Sequence, residues 1–181
     1  TAKMVRMLVT LTQAFSDRCQ EEKQKKNMLD FSDVEHNALR VLVDSETKEL
    51  TETALEYQQQ YREVMIDEYQ DSNYVQETLL TAVSGVKNGN ENLFMVGDVK
   101  QSIYRFRLAD AAIFMDKYHR YADASEDEHM QRIDLSRNFR SRESVLAGIN
   151  YIFRRIMKKS LGGIDYDEHA ALYPGMEYPE A

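Results

Sequence analysis

The sequence predicts an α/β fold, rich in helix, in which a parallel sheet is flanked by helices. Three observations carry that reading. Val64-Met65-Ile66 is a short apolar run closed by Asp67-Glu68. Residues 93–96 form a second run, closed by Gly97-Asp98, and runs of this length bounded by polar residues read as buried strands. Between them, Val75, Leu79, Leu80 and Val83 recur at helical spacing. Strand, helix and strand therefore follow one another as in a parallel crossover.

The other elements follow in chain order. Val5, Leu8, Val9, Phe15 and Cys19 predict a long amphipathic helix over 2–27, whose charged end at 21–26 reads as solvated. Ser32 stands three residues before Glu35, a capping-box spacing, ahead of a stripe of Val34, Ala38, Leu39, Val41 and Leu42; a second helix is expected to start there. A third is expected over 51–61. The crossover helix spans 73–84, with Ser72 or Asn73 as cap and Gly85 as stop. Beyond the second strand come a helix over 109–121, an acidic loop over 123–129, a short strand over 132–135 and a helix after Ser141. That last helix shows Val145, Leu146, Ile149, Ile152, Phe153 and Ile156 on one face. From Ser160 onward the sequence has no period and is expected to be loop.

Composition bounds the function. With 43% hydrophobic residues in 181, the chain fills a core and is not a disordered tail. Its 31 acidic against 23 basic residues give a net charge of −8, which excludes a generally basic nucleic-acid coat but not a local basic groove. No apolar run approaches the ~18 residues of a membrane span and no signal-peptide pattern opens the chain, so no membrane partner and a cytoplasmic protein are expected. Cys19 stands alone and reads as a small, partly buried apolar residue. The nine methionines read as core filler. His36, His119, His129 and His169 lack metal-ligand spacing.

In open α/β sheets ligands gather at the carboxyl ends of the strands, and both runs end there in acid. Asp67 is placed to hold Mg²⁺ through oxygen, and Glu68 to orient or deprotonate a water, the division of labour phosphoryl transfer needs. The plainer alternative is that the pair only biases charge ahead of the helix starting near Asn73. A nuclease offers another alternative: Asp67 with Asp98 and Lys100 mimics an Asp…Asp-x-Lys metal site. Against it, Gly97 ends the apolar run and puts Asp98 in a loop, and Gln101 to Arg107 are left unexplained. A non-catalytic assembly module is the remaining class, which the intact Asp67-Glu68 pair disfavours.

The ordered segments decide among these. Asp67-Glu68-Tyr69-Gln70-Asp71, then Gly97-Asp98-Val99-Lys100-Gln101-Ser102-Ile103-Tyr104-Arg105-Phe106-Arg107-Leu108-Ala109-Asp110, then Leu135-Ser136-Arg137-Asn138-Phe139-Arg140-Ser141 closely resemble motifs II, III and IV of superfamily 1 helicases of the UvrD/RecB type. Asp30-Phe31-Ser32-Asp33 resembles the short acidic motif that precedes them. Within the family the wording is most similar to the AddA/RexA branch of helicase-nuclease subunits, with a simple UvrD/Rep-like helicase as the alternative. The resemblance implies a partial RecA-like P-loop NTPase fold with ATP and Mg²⁺ as cofactors. It implies Asp67 as Mg²⁺ ligand, Glu68 as catalytic carboxylate, Gln101 as γ-phosphate sensor and Arg140 as arginine finger. Tyr104, Phe106 and Arg107 would face single-stranded DNA. Single-stranded and duplex DNA, and a B-type helicase-nuclease subunit forming a heterodimer, would be the partners in double-strand-break repair and recombination.

Two residues depart from the family pattern: Phe106 where Trp is common, and Leu108 where Gly is common. No G-x-x-x-x-G-K-[ST] cradle for phosphates occurs in the chain. The chain is therefore expected to be an excerpt. Residues 1–108 would be the latter part of the first motor domain and 109–181 the start of the second, hinged near 108–112.

Overall fold

A computed structural model describes residues 2–123, 130–162 and 164–178. Helix α1 (Ala2–Lys26) leads into α2 (Phe31–Leu42) and α3 (Glu52–Gln60). Strand β1 (Val64–Ile66), helix α4 (Tyr74–Val83) and strand β2 (Leu93–Met95) form the crossover unit. The strands pair in parallel, Val64 opposite Leu93 and Ile66 opposite Met95. Helix α5 (Ala111–Arg120) follows, then β3 (Ala122–Asp123), which pairs in parallel with β4 (Gln131–Arg132). Strand β5 (Arg137–Asn138), helices α6 (Glu143–Ile156) and α7 (Lys159–Gly162), and β6 (Tyr173–Pro174) complete the described residues. The mixed α/β order with short parallel strands is that of a partial RecA-like domain. The expected acidic loop lies outside the described residues from 124 to 129, His129 included.

A buried apolar cluster joins three helices. Leu42, Ala54 and Ala82 bring α2, α3 and α4 together, with Val43, Leu50, Tyr57, Leu79 and Val83 around them. Beside this apolar knot runs a ladder of buried amides. Gln58 donates to the Ala82 carbonyl at 2.9 Å and accepts from Asn88 at 2.8 Å. Asn92 donates to the Tyr61 carbonyl at 3.1 Å and accepts from the Gly85 amide at 2.9 Å. Hydrogen bonds so made offset the desolvation of the buried amides, and those of Asn92 tie the starts of β1 and β2 together.

Several expectations are corrected. Helix α2 is capped by Asp30, not Ser32: Asp30 and Asp33 exchange capping-box bonds. The reason lies outside α2, because the Lys23 ammonium at the end of α1 bridges both carboxylates at 2.7 and 2.8 Å and fixes them as the cap. Ser32 instead faces His36 on the next turn. The strand expected over 132–135 ends at Arg132. Ile133 and Leu135 are exposed and pair with no strand among the described residues. The tail beyond Ser160 is not all loop, since β6 pairs with β5 and Asn150 of α6 holds both the N–H and the carbonyl of Leu172 at 3.0 and 2.8 Å. The methionines do not fill the core: Met4, Met7, Met28, Met65, Met130 and Met176 are exposed and none is buried among the described residues. The apolar stripe of α1 is likewise exposed, and of the α6 face only Leu146 is buried. Cys19 is partly buried, as expected.

Candidate functional site

Asp67 is the first residue beyond β1 and is exposed, its Oδ1 accepting the Glu68 amide at 2.9 Å. Glu68 takes the left-handed conformation, φ 51° and ψ 39°, which costs an L-residue about 1–2 kcal/mol and holds only where neighbours over-determine it. They do so here. The Tyr69 amide donates to the Val96 carbonyl at 2.9 Å, continuing the ladder past β2, and the Asp71 amide closes a 3₁₀ turn (Tyr69–Asp71) on the Glu68 carbonyl at 2.9 Å.

Gln70, 1% exposed, joins this loop to the next. Its Nε2 donates to Glu68 Oε2 at 2.7 Å, its Oε1 accepts the Asp98 amide at 2.9 Å, and its carbonyl accepts the Ser102 hydroxyl at 3.3 Å. Gly97 makes that approach possible, because a Cβ there would stand 2.7 Å from Gln70 Oε1 and 2.9 Å from the Phe114 ring. Asp98 caps the 3₁₀ turn Val99–Gln101, accepting from the Lys100 amide at 3.1 Å, the Lys100 ammonium at 2.8 Å and Gln101 Nε2 at 3.1 Å. Burial opposes the charge on Asp98, but the bonds from Lys100 and Gln101 outweigh it and hold the carboxyl below its ordinary range.

A groove of about 430 Å³ opens beside Asp67, Glu68, Asp71, Ser72 and Gln76. Within it Asp71 Oδ1 is buried without a hydrogen-bond partner among the described residues. Desolvation first, and then the Glu68 charge, raise the Asp71 pKa. On the other side of the loop, buried Tyr69 donates its hydroxyl to Glu77, which also receives Lys117 of α5 at 2.7 Å. Burial and the Glu77 bond push the Tyr69 phenol far above its ordinary pKa. The Asp110 amide bonds the Ser72 carbonyl at 3.0 Å, so the start of α5 is fastened to the strand-end loop, and Lys117 farther along it to α4.

Past Gln101 the character changes. The Tyr104 and Phe106 rings lie 5.9 Å apart, with the Arg107 guanidinium 5.4 Å from the first and 5.8 Å from the second. Phe106 is 76% exposed and is not a core aromatic. Leu108 sits at φ 67°, the conformation that glycine adopts without strain.

The folded chain thus brings the loops of Asp67, Glu68 and Gln101 together and sets Tyr104, Phe106 and Arg107 on the same continuous segment. Arg140 is not joined to them. Its backbone N–H bonds Asn138 at 2.9 Å, and its exposed guanidinium makes no hydrogen bond or ion pair among the described residues. The nuclease alternative is not assembled either: Asp98 and Lys100 are paired with each other in a turn rather than ranged along a strand. Among the described residues no group of three or more His, Cys, Asp and Glu side chains could cage a metal, and no helix is long and apolar enough to cross a membrane. A single exposed carboxylate such as Asp67 suits Mg²⁺ that arrives with phosphate oxygens. Gln70, which organises the site, is not among the site residues that the sequence pattern gives, and Asp98 enters there only as a ligand of the nuclease alternative. A buried amide within a polar run gives no periodic signal.

Known proteins share this sequence. The chain is 51% identical over 176 residues to the A-type subunit of the ATP-dependent helicase/nuclease of Lachnoclostridium phytofermentans, covering 96% of this chain and 13% of that protein. Namesakes from Listeria welshimeri and Bacillus pumilus are each 48% identical, over 98% of this chain and 14% and 15% of theirs. The chain thus spans about a seventh of the length of the curated relatives it matches. Residues 6–122 match the UvrD/REP helicase N-terminal domain, and the chain belongs to that helicase family.

Proposed function

We propose that this chain is the motif II to motif IV section of an ATP-dependent DNA helicase motor within a helicase-nuclease subunit. Residues 1–108 contribute the latter part of the first motor domain and 109–181 the start of the second. The observation that carries the reading is the bonded path Glu68–Gln70–Asp98–Gln101, which links two acidic strand-end loops directly upstream of an exposed aromatic-arginine cluster. The helicase/nuclease names of the relatives favour it over a simple UvrD/Rep-like motor.

Asp67 would hold Mg²⁺ together with ATP phosphates, and the ion would neutralise phosphate charge. Glu68 orients the attacking water and takes up its proton. The Gln101 amide, which here donates to Asp98, has the donor and acceptor needed to meet both a γ-phosphate oxygen and that water. Arg140 supplies a planar guanidinium to the phosphoryl oxygens when the motor domains close. Tyr104 and Phe106 stack on bases of single-stranded DNA while Arg107 grips its backbone. Gln101 and Phe106 share one short segment, so a change at the phosphate is transmitted to the strand. Duplex unwinding, a B-type partner subunit, an accompanying exonuclease, a role in break repair and a cytoplasmic location complete the reading.

In the full-length protein carrying this chain, Glu68→Gln is expected to lower the ATPase rate at least ~100-fold while nucleotide binding persists. A wild-type turnover rate in that variant refutes the proposal.

A further inference from the structure

We infer that Gln70 is a positioning residue: its side-chain amide orients the Glu68 carboxylate and ties it to the Gln101 loop through Asp98. The inference rests on the proposed ATPase reading and deepens it. Glu68 is exposed and stands on strained left-handed backbone, and the bond that fixes its carboxylate comes from Gln70. Gln70 itself is 1% exposed, with both polar ends occupied.

Its orientation is determined by its neighbours. Nε2 faces a carboxylate, which only accepts, and Oε1 faces a backbone N–H, which only donates. Reversing the amide would set oxygen against carboxylate and NH₂ against N–H, so a single orientation satisfies both ends. Asparagine is too short to span them, and glutamate would oppose Glu68 with like charge. The Asp98 amide that Oε1 receives belongs to the residue whose carboxylate also holds Gln101 Nε2. The group that addresses water and the group that addresses phosphate are thus referenced to one buried amide, and Gly97 carries no side chain that could displace it.

The test uses the full-length protein with Glu68→Gln as its reference. Gln70→Ala is expected to lower kcat about 10–100-fold, in the range of outer-shell losses, with KM for ATP within about threefold, since no phosphate contact is removed. Gln70→Glu keeps the shape and decides the matter if the alanine variant is too unstable to assay. It puts a second carboxylate where the amide donor stood and repels the Glu68 carboxylate, so kcat is expected to fall about as far as in the alanine variant while KM for ATP again stays within about threefold. A purely structural Gln70 predicts lower melting temperature with unchanged kcat in the folded fraction, and that result overturns the inference. So does a parallel loss of kcat and nucleotide binding. Should Glu68→Gln itself keep full ATPase activity, the underlying functional reading fails instead, and the two failures are told apart.

Discussion

The strand-end loops at 67–71 and 97–102 and the aromatic segment at 103–108 adjoin in sequence yet are built on opposite principles. In the loops, Gln70 and Asp98 are drawn inward and partnered, while Asp71 Oδ1 is buried without a partner among the described residues. Gln70 is sealed between two acceptor and donor groups, Asp98 collects three donors, and Gly97 leaves no spare volume. In the aromatic segment, apolar side chains are turned outward. Ile103, Phe106 and Leu108 are 69%, 76% and 81% exposed, and the rings are steadied by Arg107. The difference teaches where each kind of chemistry puts its constraint. Water and phosphate must be met within a fraction of an ångström, which needs satisfied, immobile neighbours. A base of any identity needs only an accessible π-face.

Three substitutions break or sharpen that contrast. The largest effect is expected from Gly97→Ala, since the added methyl must displace Gln70 Oε1 or the Phe114 ring edge. Overpacking of this kind costs about 3 kcal/mol, toward the upper end of its usual range. Chemical denaturation of the full-length protein measures it, and a variant as stable as wild type would mean that the loops are less tightly fitted than described. Phe106→Ala is expected to be thermally neutral, within ~0.5 kcal/mol, while weakening single-stranded DNA binding by about 1–3 kcal/mol with little base preference. A large fall in melting temperature with unaltered DNA affinity would return Phe106 to a structural role. The smallest effect belongs to Leu108→Gly. Relief of the positive φ is offset by the greater freedom of glycine in the unfolded chain, leaving a gain under about 1 kcal/mol. A clear loss of stability there would show that the Leu108 side chain packs on something beyond the described residues.

Much of the framework was legible because it rests on local rules. The apolar runs became β1 and β2 in parallel register, and Asn73 caps α4 with Gln76 returning the bond. The acidic and Gln101 loops lie at strand ends, as the sequence required. What escaped was decided by partners distant in sequence. Ser32 had the local pattern of a cap, but Lys23 selected Asp30. Residues 132–135 alternate like a strand, but among the described residues only Gln131 and Arg132 pair with β3. Gln70 reads as one more polar residue until Asp98, 28 positions later, closes over it. The positions of Asp67, Glu68, Gln101 and the aromatic pair were legible for the same local reason, whereas no local pattern encodes where Arg140 stands relative to them.

That 28-residue separation also sets an order of assembly. The bonds of α4 close over four residues, but the Gln70 to Asp98 bond bears the loop-closure entropy of the whole crossover. It forms only after β2 has docked beside β1 and Gly97 has been brought against the buried amide. During synthesis, Glu68 therefore leaves the ribosome well before the residue that completes its orientation. The bonds within α4 need only neighbouring residues, whereas the Gln70 to Asp98 bond needs the whole crossover.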